Sequence, residues 1–309
     1  MKHFSGSFFC VCLLWFSIAP GRAQETPAQN PPDVSAPAPQ GPTTLQPPPL
    51  PPRPPDQIMP DEGRWSVGVT GWIPFGHPVM DSIPVQNFNI FGQPIPYTGP
   101  SSRIQFQGKP KVAPGIELTA SAGKRHVIRL SFWRAQASGN LTAPSDLLLW
   151  GGGYSKGDYL STNYRLQNVK LSYEFLTWPY PIGSRKFRLK TLWQFQYTNM
   201  KTAFDAPLKS TDNGPNNTSG HKSLYAPTLG LGPTYYVTPQ FRLELDGSGF
   251  AIPGHWYILD GDASASYRVG KVEVRIGAKA FRFRTSEKAD YFLRGTMAGA
   301  YAGLRFYLN

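Results

Sequence analysis

The sequence predicts an all-β chain in which about ten long antiparallel strands close into a single transmembrane barrel. From residue 64 onward, apolar and polar residues alternate with a period of two, and no helical period of useful length is present. The alternating segments run for ten or more residues, whereas strands average about five or six residues. Short and long connections also alternate along the chain, as they do in barrels with turns at one end and loops at the other.

Residues 1–23 have the organisation of a secretory signal peptide. Lys2 precedes an apolar run from Phe8 to Ala19, and Gly21 and Ala23 occupy the −3 and −1 positions of a cleavage site. A membrane anchor would need about 20 apolar residues, and this run is shorter. We therefore expect an exported protein.

The exported chain has no cysteine and is basic. Cys10 and Cys12 both lie in the signal peptide, which excludes a disulfide framework, a thiol nucleophile and thiolate metal sites. Removing Lys2 and Arg22 from the 31 basic residues leaves 29 against 19 acidic ones, a formal charge of +10. Such a protein suits an anionic surface such as lipopolysaccharide or peptidoglycan better than nucleic acid. We expect no cofactor and no metal.

Residues 24–63 are rich in Pro, Ala, Gln and Thr and are expected to be a disordered periplasmic linker. Within them, PPPLPPRPP at 47–55 has the spacing of a polyproline ligand for a signalling domain. Those domains are cytosolic, so a stiff spacer is favoured. At about 3.1 Å per residue it would reach on the order of 100 Å. Contact with peptidoglycan through this linker is the alternative.

The segment Trp256 to Arg268 shows the alternation most clearly. Tyr257 and Tyr267 begin and end its apolar face and are separated by ten residue steps, about 33 Å along a strand. At a tilt of about 40° this is about 25 Å along the membrane normal, the height of the apolar band of an outer-membrane barrel. The two tyrosines are therefore expected at the two membrane interfaces. Trp193, Tyr197 and Phe306 are expected at the same interfaces.

Ten segments follow this pattern between residues 64 and 309. Eight or twelve strands are the alternatives, and an even number with a periplasmic N-terminus fits the alternation of turns and loops. The predicted strands are 64–73, 112–122, 126–138, 159–176, 185–200, 222–237, 240–251, 256–268, 271–284 and 291–308.

Over residues 64–309 the chain resembles bacterial outer-membrane β-barrel proteins. The resemblance implies location in the outer membrane of a Gram-negative-type bacterium and insertion by the barrel-assembly machinery, which favours a terminal aromatic residue. Here the aromatic residues Phe306 and Tyr307 come before the polar residue Asn309, which occupies the last position.

Two strands change the phase of their apolar residues. In the first, the apolar residues are even-numbered up to Phe132 and odd-numbered from Trp133 onward. In the second, they are even-numbered over residues 272–280 and odd-numbered at Phe281 and Phe283. A bulge or an extension of the strand beyond the membrane would explain this. The long first loop carries apolar residues that would plug the barrel mouth or bind an external partner, namely Phe75, Phe88, Phe91 and Tyr97.

The polar faces are expected to line the lumen. On three neighbouring strands they carry the charges of Arg242, Glu244, Asp246, Asp260, Asp262, Glu273, Arg275 and Lys279. In so narrow a bore these side chains favour a salt-bridged plug. The alternative to this plug is a narrow aqueous pore. Its mild anion preference would come from Arg129, Lys170, Arg188, Lys190 and Arg305.

We expect a structural barrel or a minor channel and no enzyme. A surface-loop adhesin or binding protein is the alternative, and a secreted β-sandwich is a third. The omptin proteases also have ten strands and use two acidic residues opposite an Asp and His pair. Asp260-x-Asp262 and His255 are the nearest match, but the chain has no Asp-x-His pair, so an omptin-like protease is the remote alternative.

Overall fold

The structure is a computed structural model that describes residues 64–82, 102–123, 125–178, 186–209, 215–286 and 291–308. The predicted signal peptide, the predicted linker and loop residues Phe88, Phe91 and Tyr97 lie outside these ranges. Within them, no helix is long and apolar enough to cross a membrane.

The described residues form fourteen strands. They are β1 (Trp65–Phe75), β2 (Val79–Ser82), β3 (Ser102–Gln105), β4 (Ala113–Ala122), β5 (His126–Thr142), β6 (Leu147–Leu149), β7 (Gly152–Tyr154), β8 (Tyr159–Trp178), β9 (Phe187–Asp205), β10 (Asn217–Tyr236), β11 (Phe241–Ile252), β12 (Trp256–Val269), β13 (Val272–Arg284) and β14 (Tyr291–Leu308).

Ten of these strands close into one antiparallel barrel, which confirms the predicted number. Their order is β1-β4-β5-β8-β9-β10-β11-β12-β13-β14, and β14 pairs back onto β1. That seam runs from Trp65 opposite Leu308 to Phe75 opposite Ala298. Closure leaves no unpaired barrel edge, a condition that a membrane imposes on β-structure.

An apolar band surrounds the barrel. On β9 it extends from Phe187 to Tyr197 and on β10 from Tyr225 to Tyr235, ten residue steps in each case. Large side chains in this band are half exposed, including Trp193 at 58% and Leu229 at 55%. A continuous exposed belt of this size is unsuited to water and suited to lipid.

Strand β5 reverses its polarity without changing its register. Leu130 and Phe132 face outward, and Arg134 continues on the same face as a polar residue, while Trp133 and Ala135 are buried inside. Pairing with β8 is unbroken from His126 to Thr142. The bulge interpretation is therefore wrong, and β5 is a regular strand that extends beyond the apolar band.

The reversal lies at one level on four adjacent strands. Phe132, Val169, Tyr197 and Tyr225 are register partners in one row, which we call the boundary row. The next outward-facing row is polar and consists of Arg134, Gln167, Asn199 and Ser223. The outward face of the strands changes from apolar to polar at this row, so the row marks the outer edge of the apolar band.

Beyond the boundary row, the inward faces of the strands form an apolar core, which we call the outer plug. Trp133 packs edge-on against Trp72 and Phe281, with both pairs of ring centroids 5.1 Å apart. Other buried members from the barrel strands are Tyr164, Leu166, Met200, Phe204, Leu224, Ile258, Phe283, Leu293 and Met297.

The first loop completes the outer plug, but not through the residue expected. Met80, Ile104 and Phe106 from this loop are almost fully buried. For Phe75 the plug interpretation is wrong: as an odd-numbered residue of β1 it faces outward and is 61% exposed. A β-strand shows alternate residues to opposite faces, and the inward neighbour of Phe75 is Pro74.

Two contacts hold this loop in place. Asp81 on β2 is buried and forms ion pairs with Arg103 at 2.7 Å and Arg294 at 3.1 Å. Gly108 has a φ of +112°, and a Cβ there would lie 2.0 Å from the carbonyl oxygen of Ser138, so a larger residue would push the loop off β5. Both contacts position the loop across the outer mouth.

Leu229→Arg is expected to destabilise the barrel by about 2–4 kcal/mol, because it places a charge on the lipid face near the middle of the apolar band. Ser219→Arg lies on the same face of β10 beyond the boundary row and should cost less than about 0.5 kcal/mol. Reversible urea unfolding of the refolded protein in vesicles measures both. Equal effects of the two substitutions would contradict the position of the boundary row.

Candidate functional site: the barrel lumen

The charged residues predicted to line the lumen do lie inside it. Arg242, Glu244, Asp260, Glu273 and Arg275 are between 2% and 6% exposed. Asp246, Asp262 and Lys279 are also inward, with side-chain exposures of 14%, 22% and 16%. They occupy alternate positions on β11, β12 and β13, and the pairing of these strands brings them onto one wall.

Arg129 on β5 is the most connected cation of the site. Its guanidinium lies 2.9 Å from the carboxylate of Glu174, 3.4 Å from Asp246, 3.7 Å from Glu244 and 3.8 Å from Glu117. These four carboxylates come from β8, β11 and β4. One side chain therefore ties strands from opposite parts of the barrel wall.

Lys190 on β9 joins the same group. Its ammonium lies 2.6 Å from Glu244 and 3.1 Å from Glu174, so it shares both carboxylates with Arg129. Buried charges are tolerated only when each has close partners of opposite sign. This sharing supplies such partners to two cations at once.

A second group fills the side nearest the β1–β14 seam. Arg275 lies 3.1 Å from Asp262 and 3.6 Å from Glu117. Arg305 contacts Glu117 and, at 3.3 Å, Glu273. Arg242 contacts Glu273 at 2.9 Å, and the hydroxyl of Tyr307 donates to the same carboxylate at 2.7 Å.

The outermost pair of the site adjoins the plug. Lys170 lies 2.7 Å from Asp260, and Lys279 reaches the same carboxylate at 3.9 Å. The Lys279 ammonium also lies 5.2 Å from the ring centroid of Trp133 and 5.9 Å from that of Trp72. These cation–π contacts make Lys279 the junction between the charged layer and the outer plug.

The ion pairs above involve fourteen side chains, eleven joined in one group and Lys170, Asp260 and Lys279 in a second, and we call them together the lumen network. Its seven cations are Arg129, Lys170, Lys190, Arg242, Arg275, Lys279 and Arg305. Its seven anions are Glu117, Glu174, Glu244, Asp246, Asp260, Asp262 and Glu273. The network is therefore formally neutral.

Glu117 and Glu174 were not predicted as members of the network. Glu117 shows the right alternation on β4, but that strand lies five places from β11 in the closed sheet. Only closure of the barrel brings Glu117 to Arg275 and Arg305. The local sequence pattern shows which residues face inward, but it does not show which strand lies across the lumen from them.

Among the described residues, one cavity of about 100 Å³ lies on the periplasmic side of the network and another of about 80 Å³ lies within and beside it. Each is large enough for a few water molecules. Within the described residues, no cluster of three or more His, Cys, Asp or Glu side chains has the geometry of a metal site.

The acidic pair with the nearest match to a protease site is engaged in ion pairs. Asp260 contacts Lys170, and Asp262 contacts Arg275 and accepts a hydrogen bond from Tyr301 at 2.8 Å. His255 lies in the turn between β11 and β12, where its backbone N–H donates to Ile252. The carboxylates are therefore held by cations of the lumen.

A histidine and a serine on the outside of β10 were not singled out by the sequence reasoning. His221 and Ser223 face outward just beyond the boundary row. The register partner of His221 is Lys201, and Ser223 accepts a hydrogen bond from the side-chain amide of Asn199 at 2.8 Å. The pair His221-x-Ser223 is visible in the sequence, but its position at the membrane edge comes from the register.

The predicted interface aromatics all belong to the outward face. Tyr267 and Phe306 lie near the periplasmic ends of β12 and β14 and are 52% and 47% exposed. Tyr197 lies in the boundary row, with its ring centroid 4.9 Å from that of Tyr225. Tyr257 is near the outer end of β12 and accepts a hydrogen bond from Arg282. Trp193 lies within the band, four residues from Tyr197.

No protein-family model matches the chain, and no curated protein matches it significantly. Among solved structures, the outer membrane protease OmpT from Escherichia coli superimposes with a TM-score of 0.52 at 10% identity, over 80% of this chain and 98% of OmpT. The chain has the fold of the bacterial outer-membrane β-barrel proteins. This likeness concerns the fold alone.

Two further structures with this type of fold are less similar. Ail, the attachment invasion locus protein of Yersinia pestis, gives a TM-score of 0.32 at 11% identity, over 79% of this chain and 99% of Ail. The toluene transporter TodX of Pseudomonas putida gives 0.29 at 9% identity, over 81% of this chain and 90% of TodX.

Arg129→Met is expected to lower the free energy of unfolding by about 3–5 kcal/mol, because it leaves buried carboxylates without one of their cations. Arg165→Met is the matched control: Arg165 is exposed on the outer face of β8, and its loss should change stability by less than about 0.5 kcal/mol. Urea unfolding followed by tryptophan fluorescence measures both. A loss below 1 kcal/mol for Arg129→Met would mean that the network does not stabilise the barrel.

Proposed function

We propose that the protein is an integral outer-membrane barrel with a closed lumen and a structural role, and that it is neither a conducting pore nor an enzyme. The observation that supports this most directly is the neutral lumen network of seven cations and seven anions. Its charges neutralise one another across the bore. An ion entering this layer would have to displace contacts as short as 2.6 Å.

The outer plug is a second barrier in series with the network. It contains large apolar side chains with almost no exposure, such as Phe281 at 0% and Phe283 at 1%. A dry apolar layer excludes ions because they lose their hydration there without gaining partners. Since both barriers lie on the barrel axis between the two ends of the strands, each alone is sufficient to keep the lumen closed.

Two cations outside the barrel support location in the outer membrane with lipopolysaccharide as a partner. Arg165 and Lys201 are register partners on β8 and β9, four residues beyond Val169 and Tyr197 of the boundary row, and we call them the cation row. His221 of β10 is the other register partner of Lys201. Like charges directly opposite one another repel. Among the described residues, Arg165 and Lys201 have no ion pair, so the phosphate groups of an anionic lipid would stabilise the row.

The long outer ends of β5, β8, β9 and β10 support a second candidate function, display of a binding surface outside the cell. These strands have 17, 20, 19 and 20 residues, compared with 12 in β11. Their extra length carries polar residues outward above the boundary row. In both proposals the barrel is inserted by the barrel-assembly machinery, and the linker is a spacer toward peptidoglycan.

The refolded protein is expected to show no steady single-channel conductance in a planar bilayer. Opening it should require removal of both barriers, because they act in series. Arg129→Ala with Glu174→Ala weakens the network and keeps it neutral; Trp133→Ala with Phe281→Ala weakens the plug. Each pair alone should remain silent, and the four substitutions together should conduct.

Heat-modifiable gel migration shows which of these variants are folded barrels. Steady conductance of the unmodified protein would contradict the closed lumen. If the triple variant Arg242→Gln, Arg275→Gln, Lys279→Gln altered that conductance, the protein would be a narrow charged pore. Silence of the folded four-substitution variant would show that these two layers are not the barriers.

Lipopolysaccharide is expected to stabilise the protein in a way that depends on the cation row. Arg165→Gln with Lys201→Gln should reduce this stabilisation by about 2 kcal/mol, at about 1 kcal/mol per cation. The control Lys111→Gln with Lys156→Gln makes the same charge change in the loops. Thermal unfolding with and without lipopolysaccharide measures the effect. Equal losses for the two double variants would mean that only net charge matters.

A further inference from the structure

The outer half of β10 has a neighbouring strand on one side only. Its pairing with β9 is unbroken along the whole strand, whereas its pairing with β11 begins at Leu229, opposite Gly249. In this register Ile252, the last residue of β11, would lie level with Ala226. β11 therefore ends below residues 217–225, and within the described part of the chain no other strand pairs with them on that side.

The missing neighbour leaves one set of backbone groups open. Even-numbered residues of β10 bond toward β9. The N–H of Tyr236 donates to the carbonyl of Lys186, and at the other end the carbonyl of Asn216 accepts from Ala206. Because hydrogen-bonded and non-hydrogen-bonded pairs alternate along an antiparallel ladder, the odd-numbered residues bond toward β11. The residues whose N–H and C=O point to the open side are Asn217, Ser219, His221, Ser223 and Tyr225.

Prolines limit this open edge at both ends. Pro215 and Pro227 are the next odd-numbered residues on either side of the set, and neither has an N–H to donate. Proline within a sheet is confined to edge strands and bulges, which agrees with an unpaired side at these positions. We call residues 217–225 the open edge, since over their whole length they can exchange hydrogen bonds with an added strand.

The open edge is held in a fixed position by its other neighbours. β9 pairs with it along its full length, and the β6–β7 hairpin packs against its inward face. There the hydroxyl groups of Tyr154 and Thr218 are 2.8 Å apart, and Trp150 covers Gly220 so closely that a Cβ would not fit. An added strand would meet a preformed edge, so binding would require little ordering of the protein.

The open edge lies outside the membrane. Tyr225 belongs to the boundary row, and residues 217–223 extend beyond it. Unpaired backbone groups are not tolerated in lipid, and β11 pairs with β10 from Leu229 onward, inside the apolar band. The edge is therefore open where water can satisfy it. An unpaired strand edge in water is a template for pairing with another chain.

The side chains around the open edge indicate the chemistry of its partner. β10 carries no carboxylate, and the ammonium of Lys222, near the middle of the open edge, lies 5.9 Å from the ring centroid of Trp150. His221 and its register partner Lys201 lie on the outward side. The carboxylate of β9 is that of Asp205, at the far end of the strand. An acidic segment therefore complements this edge better than a basic one.

We propose that the open edge binds an extended acidic segment of a protein outside the cell, which adds to the sheet as a further antiparallel strand beside β10. In strand addition of this kind, main-chain hydrogen bonds supply the affinity and the flanking side chains supply the selectivity. The inference rests on the second candidate function, display of a binding surface outside the cell, and it assigns that surface to the open edge. The lumen takes no part in it.

Fluorescence anisotropy of the refolded full chain tests the open edge with a labelled peptide of alternating threonine and glutamate. The measurement is made in a maltoside detergent without lipopolysaccharide, so that Lys201 carries no lipid. Saturable one-to-one binding is expected. A peptide of alternating threonine and lysine should bind about tenfold more weakly. The acidic peptide with methylated backbone nitrogens should not bind, because it cannot donate to the edge.

Two substitutions at one position separate the backbone from the side chain. His221→Pro removes an N–H that points to the open side and should weaken binding by about tenfold or more, whereas His221→Ala keeps that N–H and should change binding by less than about threefold. Lys222→Gln should weaken binding of the acidic peptide by about threefold. Heat-modifiable gel migration shows which variants are folded barrels. The methylated peptide tests the same ladder from the other strand if His221→Pro does not fold.

The opposite results overturn the proposal in distinct ways. Absence of saturable binding, or equal binding of the basic peptide, excludes an acidic strand as the ligand. Equal effects of His221→Pro and His221→Ala place the peptide elsewhere on the outer surface, which leaves the display function standing without the open edge. A refolded protein that is a dimer by light scattering, and becomes a monomer with His221→Pro, identifies a second copy of the chain as the occupant. The conductance measurement is independent of all these results.

Discussion

The whole structure depends on one geometric constraint, that a β-strand shows alternate residues to opposite faces for its entire length. A strand that leaves the membrane cannot rotate its faces, so its composition must change instead. At the row of Phe132, Val169, Tyr197 and Tyr225 the outward face becomes polar and the inward face becomes apolar. The same strands therefore build a lipid-facing band below this row and a buried core above it.

Closing the barrel creates the second constraint, because it brings many inward charges into a narrow bore. Such charges are tolerated when they satisfy one another. Arg129 reaches carboxylates from three other strands, and Glu117 receives cations from β5, β13 and β14. These contacts cross the lumen, so they add stability that the hydrogen bonds between neighbouring strands do not provide. The network is thus part of the fold as well as a barrier.

Sequence alone predicted the strand number, the strand positions and the inward face of the eight charges, because period-two alternation is a local property. It left open whether the phase change after Phe132 was a bulge or an extension, since both give the same local pattern. It also missed Glu117, whose partners Arg275 and Arg305 depend on closure of the barrel, and Glu174, whose partners Arg129 and Lys190 lie on the two neighbouring strands. Phe75 was assigned to the plug because the predicted strand ended at residue 73, whereas β1 continues to Phe75 and presents it on the outward face.

The lumen differs in character along its axis, and this asymmetry follows from the two constraints together. Its outer part is apolar because the strands there must form a core outside the membrane. Its middle is a neutral ion network because charges from opposite walls meet there. The same strands therefore close the lumen twice, by an apolar core where they leave the membrane and by ion pairs where they cross it.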